Sequence, residues 1–378
     1  MIPVEVFEST LRGFLEPVRG ALEDASVTEV LINGPSDIFI ERKGQLTRLD
    51  ARFKSADALM SALRVVAQYV GRPLDAEHPI LEGRLPDGSR LEALLPPVSP
   101  DGPSVAIRRF SKEKLTLAKL LELEALTADA AELLRLLIEC KQNVVVAGGT
   151  GSGKTSLLNA LSALIPKGER IVVIEDAREL QLQREHVVQL EARPADPKGR
   201  GAISIRDLFK ATLRMRPDRI VLGEIRGGEA LDLIQAMTSG HSGCLTTVHA
   251  TYPVDTLNRL ETMALMGGVE LPLSALRAQL ASAVDVIVQT ARLRDGRRKV
   301  THITEVVGVD PQHGYRIKDL FAFDPTPGRV GFEPTYRLIP TGVLPDCLPL
   351  LRAHGLELPM SLRAAASGSH PLNQVKVP

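Results

Sequence analysis

The chain has no tryptophan, and aromatic residues make up only 3% of its 378 positions. Proteins that grip single strands stack bases on aromatic side chains, so this composition argues against such a surface. An excess of one charge is also missing. Lys and Arg total 46, Asp and Glu total 46, and the formal net charge is zero. No overall basic field draws the chain to a polyanion, and nucleic acid is not expected as a partner. Cysteine is scarce too. Cys140, Cys244 and Cys347 are far apart, and no CxxC occurs. That excludes a disulfide framework and points to a reducing compartment. No apolar run approaches the roughly 20 residues needed to span a bilayer. The opening "MIPVEVFESTLRGF" carries acidic residues and no long apolar stretch, unlike a secretory signal. The expectation is a cytoplasmic protein whose contact with a membrane is peripheral.

The length allows two or three domains. Val4, Phe7, Leu11 and Leu15 recur at helical spacing, so residues 1–25 read as helix. "VTEVLING" reads as a strand, "DIFIERKGQLTRL" as a hairpin turning at Lys43-Gly44, and residues 55–71 as an amphipathic helix. "GRLPDGSRLEALLPP" and "SVAIRRF" are two further strand candidates. Residues 1–110 therefore form a small α+β domain, and 111–120 a linker. From 121 to 350, short apolar runs such as "NVVVAG", "RIVVIED" and "DRIVLGEI" alternate with helical stretches. Such runs are strands of a predominantly parallel sheet buried on both faces, an α/β domain. Residues 351–378 read as a partly disordered tail.

The chemistry centres on "VVVAGGTGSGKTSLLNAL". Gly148, Gly149, Thr150, Gly151, Ser152, Gly153, Lys154 and Thr155 fit the pattern GxxxxGK[ST], with an apolar strand before it and a helix after it, and with Ser156 they are the candidate nucleotide-binding residues. In such a loop the glycines let backbone N–H groups face phosphate oxygens, Lys154 reaches the β- and γ-phosphates, and the Thr155 hydroxyl is offered to Mg²⁺. Two strand ends carry acids. Glu224 follows the run Ile220 to Leu222, and Glu175 follows Ile171 to Ile174. Ligands of open α/β sheets bind at the carboxyl ends of the strands. Glu224 and Glu175 are therefore candidates for the Mg²⁺ shell or for orienting the attacking water. "TSGHSGCLTTVHA" raises the thought of zinc on His241, Cys244 and His249. It lacks a fourth ligand, and the two histidines do not form a helical pair. The better reading is a strand beside the P-loop strand, with Thr246, Thr247 and His249 near the γ-phosphate.

Four boxes stand in order: "GGTGSGKTS", "IEDAREL", "LRMRPDRIVLGEIRGGEA" and "TSGHSGCLTTVHA". With "VTEVLINGPSDIFIERKGQL", "GRLPDGSRLEALLPP" and "SVAIRRF" before them, the chain resembles the secretion and pilus-assembly ATPases of the type II/type IV secretion superfamily. It looks closest to the branch of the Tad-pilus motor and the conjugation-type, VirB-class ATPases. The resemblance runs from near residue 25 to near residue 350. It implies a RecA-like P-loop ATPase domain behind a PAS-like first domain, with ATP and Mg²⁺ as cofactors. A homo-hexamer at the cytoplasmic face of the inner membrane, working on a membrane platform, is implied as well. It assigns Glu175 as the catalytic carboxylate, Glu224 as the Walker B acid, and a sensing role to His241 and His249. Arg226 would bridge toward the acidic box or a neighbouring subunit. Arg90, with Arg108 or Arg109, would approach the phosphates as subunits close. The extension-type motors carry a four-cysteine zinc module after Walker B, which this chain lacks. Two other readings share the core: a RecA-like nucleic-acid translocase, and a nucleotide-gated scaffold with little hydrolysis.

Overall fold

The computed structural model describes residues 4–42, 44–110, 115–196, 198–324, 328–330, 333–335 and 337–367. They divide into two units. The first takes the described residues up to 110 together with Ala195–Gly201, and the second takes the rest.

The first unit opens with α1 (Val4–Phe14) and α2 (Glu16–Glu23). The single helix expected over 1–25 is broken at Leu15, and proline stands at the start of α2, where its missing N–H costs nothing. β1 (Val27–Asn33), β2 (Asp37–Arg42) and β3 (Gln45–Arg48) follow, then α3 (Ala56–Val70). Lys43, at the expected hairpin turn, lies outside the described residues. Ser55 caps α3 by accepting from the Ala58 N–H at 3.2 Å. The "GRLPDGSRLEALLPP" stretch, expected as one strand, contributes to two: β4 (Ile80–Arg84) and β5 (Arg90–Leu94). β6 (Ser104–Arg108) completes an antiparallel sheet of order β3-β2-β1-β6-β5-β4. Alternate residues of β1 and β2, among them Val30, Ile32, Ile38 and Ile40, share a core with Leu59, Leu63 and Val66 of α3.

The second unit begins with α4 (Leu117–Glu122) and α5 (Ala128–Glu139). This revises the expected linker. Thr116 caps α4, and Leu120 is buried in the unit's core, so 116–120 is folded; residues 111–114 lie outside the described set. The chain continues through β7 (Val144–Gly148), α6 (Lys154–Ser162), β8 (Ile171–Glu175), β9 (Val187–Glu191), α7 (Ile205–Thr212), β10 (Arg219–Leu222), α8 (Glu229–Thr238) and β11 (Leu245–Val248). Next come α9 (Pro253–Leu265), α10 (Leu273–Ala283), β12 (Val286–Arg292), β13 (Arg298–Asp310) and β14 (Gly314–Phe323). The small pair β15 (Gly328–Val330) and β16 (Glu333–Thr335) precedes β17 (Leu338–Pro340). The main sheet has the order β17-β14-β13-β12-β7-β11-β10-β8-β9. From β12 to β9 every pairing is parallel, while β12 to β17 pair antiparallel. Val144 and Val146 face one core and Val145 and Ala147 the other, so the central strands are buried on both sides.

The chain end also differs from expectation. Residues 351–366 are not a loose tail: α11 (Leu348–Ala353) and α12 (Met360–Ala366) bury Leu351, Leu358 and Leu362 in the same core as α5. Leu351, Leu358 and Leu362 supply enough apolar surface to fold a stretch punctuated by Pro and Gly. Residues 368–378 lie outside the described set. No described helix is long and apolar enough to cross a membrane.

Candidate nucleotide-hydrolysis site

β7 is the P-loop strand, and its neighbours are β11 and β12. Gly148 ends it under close approach. A Cβ there would lie 2.3 Å from Thr290 Oγ1 and 2.4 Å from Ser152 Oγ, so any side chain would push the loop off β12. Gly151 and Gly153 take φ of +68° and +96°, left-handed values that L side chains resist. Gly149 has no neighbour within 4 Å on its Cβ side. Helix α6 starts at Lys154 with no side-chain cap and no acid in its first turn, so its first N–H groups and dipole are available to an anion. Together these features fit a chain of phosphates. Lys154 donates to the Gly149 carbonyl at 3.1 Å. The side chain of Ser152, one of the expected nucleotide-binding residues, braces the loop, bonding the Gly149 carbonyl and Thr290 Oγ1, each at 2.9 Å. Thr155 and Ser156 lie in the first turn of α6. No three His, Cys, Asp or Glu side chains gather as a metal cage among the described residues. Mg²⁺ at a phosphate site needs none, since it takes one or two protein oxygens with phosphate and water.

The acids stand at the carboxyl ends of β10, two strands from β7, and β8, three strands from it. Glu175 ends β8 and is only 4% exposed. Its Oε1 accepts the backbone N–H groups of Glu179 and Leu180 at 2.8 and 2.9 Å. Gly223 makes room for it: a Cβ there would sit 3.0 Å from Glu175 Cγ. Burial raises its carboxyl to about 7, against the pull of those two N–H groups. A buried carboxyl titrating near neutrality, with one oxygen committed to the backbone, suits a proton acceptor. Glu224 is more open and is gripped by Arg226, with Nε and Nη2 at 2.8 and 2.7 Å from Oε2. Arg226 also reaches Asp176 at 3.1 Å, so it joins the Glu224 strand end to the acidic box.

β11 separates the two histidines. His249 follows its carboxyl end, and its Nε2 lies 3.3 Å from the P-loop Thr150 hydroxyl. Burial lowers the His249 pKa, and Lys154 adds to this, while Glu224 opposes it. His241 precedes the amino end of β11, against the C-terminus of α8, where its backbone N–H bonds the Ala236 carbonyl. It lies at the sheet end opposite the phosphate loop, so within one subunit it does not meet that loop. The same separation rules out a metal shared by His241 and His249. Cys244 is buried, and its thiol is pushed up to about 12 by desolvation, which makes it no nucleophile. Thr246 and Thr247 are buried in the sheet rather than turned to the phosphates; Thr247 donates to the Gly223 carbonyl at 2.7 Å.

In the first unit the expected arginines part company. Arg90 and Arg108 are register partners across β5 and β6, and Arg84 pairs with Arg90 from β4. Three arginines thus form one row at one end of the sheet, and Arg84 was not anticipated. Glu29 of β1 is the register partner of Arg108 on its other side, so the row ends on a carboxylate. Arg109 is different. Its Nη1 donates to the Asp24 carbonyl and to the Val27 carbonyl, the latter at 2.9 Å, pinning the start of β1. Its role is structural rather than that of a phosphate finger.

Two groups of site residues carried no local signal in the sequence. Gln289 of β12 is buried and donates to the carbonyls of Ala250 and Thr251, each at 3.0 Å, fixing the turn after His249. Arg298 of β13 donates from Nε to the Gly151 carbonyl at 2.8 Å, and Arg292 stands near the same glycine. Only the register of a strand far downstream brings them to the loop.

A P-loop at the centre of a mostly parallel sheet, with strand-end acids on neighbouring strands, defines a RecA-like ATP hydrolase. The family model of the type II/IV secretion system proteins matches residues 14–313, and the chain belongs to that family. A putative conjugal transfer protein of Mycobacterium tuberculosis is 38% identical over 302 residues, 78% of this chain and 84% of that protein. The type IV secretion system protein VirB11 of Bartonella quintana is 34% identical over 328 residues, 76% of this chain and 91% of that protein. Among solved structures, the Legionella pneumophila ATPase DotB covers 81% of this chain and 82% of its own, at a TM-score of 0.54 and 19% identity, a likeness of fold.

Proposed function

We propose that the chain is a ring-forming motor that binds ATP with Mg²⁺ and hydrolyses it to drive pilus assembly, pilus retraction or secretion through an inner-membrane platform. The observation that carries this is the placement of Glu175, Glu224 and His249 at the carboxyl ends of β8, β10 and β11, on the side of the sheet where the P-loop leaves β7. Lys154 and the first turn of α6 hold the phosphates. Thr155, with Glu224 through water, serves the Mg²⁺ shell, which supplies charge neutralisation when bound. Glu175 takes the proton of the attacking water, and His249 reports on the γ-phosphate through Thr150. The row Arg84, Arg90 and Arg108 supplies the arginine that acts between subunits of a homo-hexamer. The boxes resemble those of Tad-pilus and conjugation motors, and the relatives named as conjugal transfer and type IV secretion proteins support the broader reading. Peripheral contact with the platform at the cytoplasmic face of the inner membrane goes with it.

Glu224→Gln is expected to bind ATP and fail to turn it over; unchanged turnover would remove Glu224 from the reaction. Particle mass in solution tests the ring. A six-subunit mass strengthened by a slowly hydrolysed ATP analogue and Mg²⁺ is expected. A monomer under both conditions would sink assembly by the chain alone.

A further inference from the structure

The hairpin joining β12 to β13 carries Arg292, Arg294, Arg297 and Arg298 within seven residues. Its turn is well built: the Leu293 N–H bonds the Arg297 carbonyl at 2.8 Å, and Asp295 accepts the Arg297 N–H at 2.9 Å and pairs with its guanidinium. At the base, Arg292 and Arg298 are direct register partners. Partners in register point to the same face, so two guanidinium groups stand on one side of the hairpin. Both lie against the phosphate loop. The Arg298 stem passes Gly153, its Cδ 3.4 Å from where a Cβ would be, and its Nε holds the Gly151 carbonyl. Arg292 Nη1 stands 3.7 Å from the Cβ position of Gly151. Thr290, on the same face of β12 two residues earlier, bonds Ser152 of the loop. This face of the hairpin therefore forms a wall of the P-loop.

We infer that Arg292 and Arg298 are a second, cationic wall of the nucleotide site that binds the phosphates common to ATP and ADP. This rests on the P-loop reading above. An anion held at Gly151–Gly153 would stand beside two cationic side chains, so the wall contributes affinity that the loop alone does not have. The pair belongs to the same subunit as the P-loop, unlike an arginine that acts between subunits, and so works without ring closure. Their contact is with charge that persists after hydrolysis, so they would set product retention as well as ATP binding.

The test is the Kd of the full chain for fluorescent ADP, measured over a range of salt. Arg292→Ala and Arg298→Ala are each expected to weaken binding roughly tenfold, the size of one charge-assisted contact. Each should also flatten the dependence of log Kd on log salt. Arg298→Lys loses the bond to the Gly151 carbonyl but keeps the charge, and should hold both affinity and salt slope near wild type. Arg294→Ala, at the hairpin tip, should change neither. Wild-type affinity in both alanine variants would overturn the inference. So would weaker binding with an unchanged salt slope, because that marks a prop for the loop rather than a phosphate contact. Failure of the underlying reading looks different: Lys154→Ala would then bind ADP as tightly as wild type.

Discussion

Glu175→Gln is expected to bind nucleotide normally, to lose at least about a hundredfold in turnover, and to make the nucleotide-free protein more stable above neutral pH. The first two effects follow from the carboxylate as proton acceptor, a role whose removal costs about 10²–10⁴. Glutamine keeps an oxygen for the N–H groups of Glu179 and Leu180, so the turn after β8 survives the change. The third effect follows from burial. Folding raises the Glu175 pKa to about 7. The folded chain thus holds this proton more tightly than the unfolded one does. The stability linked to it is fully present below the unfolded pKa and is lost as pH rises through about 7. The shift corresponds to about 3 kcal/mol at mildly alkaline pH. Urea denaturation at pH 5 and pH 8 measures this. The wild-type chain should lose stability between the two, and Glu175→Gln should lose less. Turnover at the wild-type rate would place the base elsewhere, whereas equal pH slopes would mean that the carboxylate ionises freely.

The parts of the site legible in the sequence are those whose chemistry lies along one strand and its following turn. The P-loop, the two strand-end acids and His249 each follow an apolar run, and a parallel sheet brings the carboxyl ends of such runs to one side. What was not legible depends on sheet order or on strand direction. β12 lies next to β7 although some 140 residues separate Thr290 from Ser152, and no local pattern announces that Gln289, Arg292 or Arg298 meets the loop. His241 and His249 look like one box because they are close in sequence, but β11 runs between them and carries them to opposite ends of the sheet. Arg108 and Arg109 looked interchangeable. Period-two alternation already separates them: Arg108 extends the exposed positions of β6, and its neighbour must turn the other way, where it meets the Asp24 and Val27 carbonyls. In the first unit the six strands were readable except for the turn at Leu85–Ser89, where the Asp87 carboxylate holds the Ser89 N–H at 2.9 Å and folds one apparent strand into a hairpin.

The largest effect on stability is expected far from the phosphates. Arg219 opens β10, the strand that ends at Glu224, and its side chain is fully buried. It pairs with Glu169, whose side chain is 19% exposed, and donates to the Ile138 carbonyl at 2.7 Å and to the Gly243 carbonyl. Gly243 must be glycine: its φ is +80°, and a Cβ would fall 2.2 Å from Arg219 Nη1. The arginine thus ties β10 to the end of α5 and to the turn before β11, which fixes the strand that leads to Glu224. Removing the carboxylate leaves a buried cation without its counter-charge, a change that costs about 3–5 kcal/mol. Glu169→Ala should therefore lose about that much in denaturant unfolding. Glu357→Ala, which breaks the exposed pair with Arg363, should lose under about 1 kcal/mol. Equal losses in the two variants would mean that Arg219 finds water or another partner once Glu169 is gone. A large loss at Glu169 alone would identify the last arginine of "RMRPDR" and the glycine before "CLTTV" as one structural lock. The conspicuous residues of these boxes would then divide between chemistry at the carboxyl ends of the strands and architecture at their amino ends.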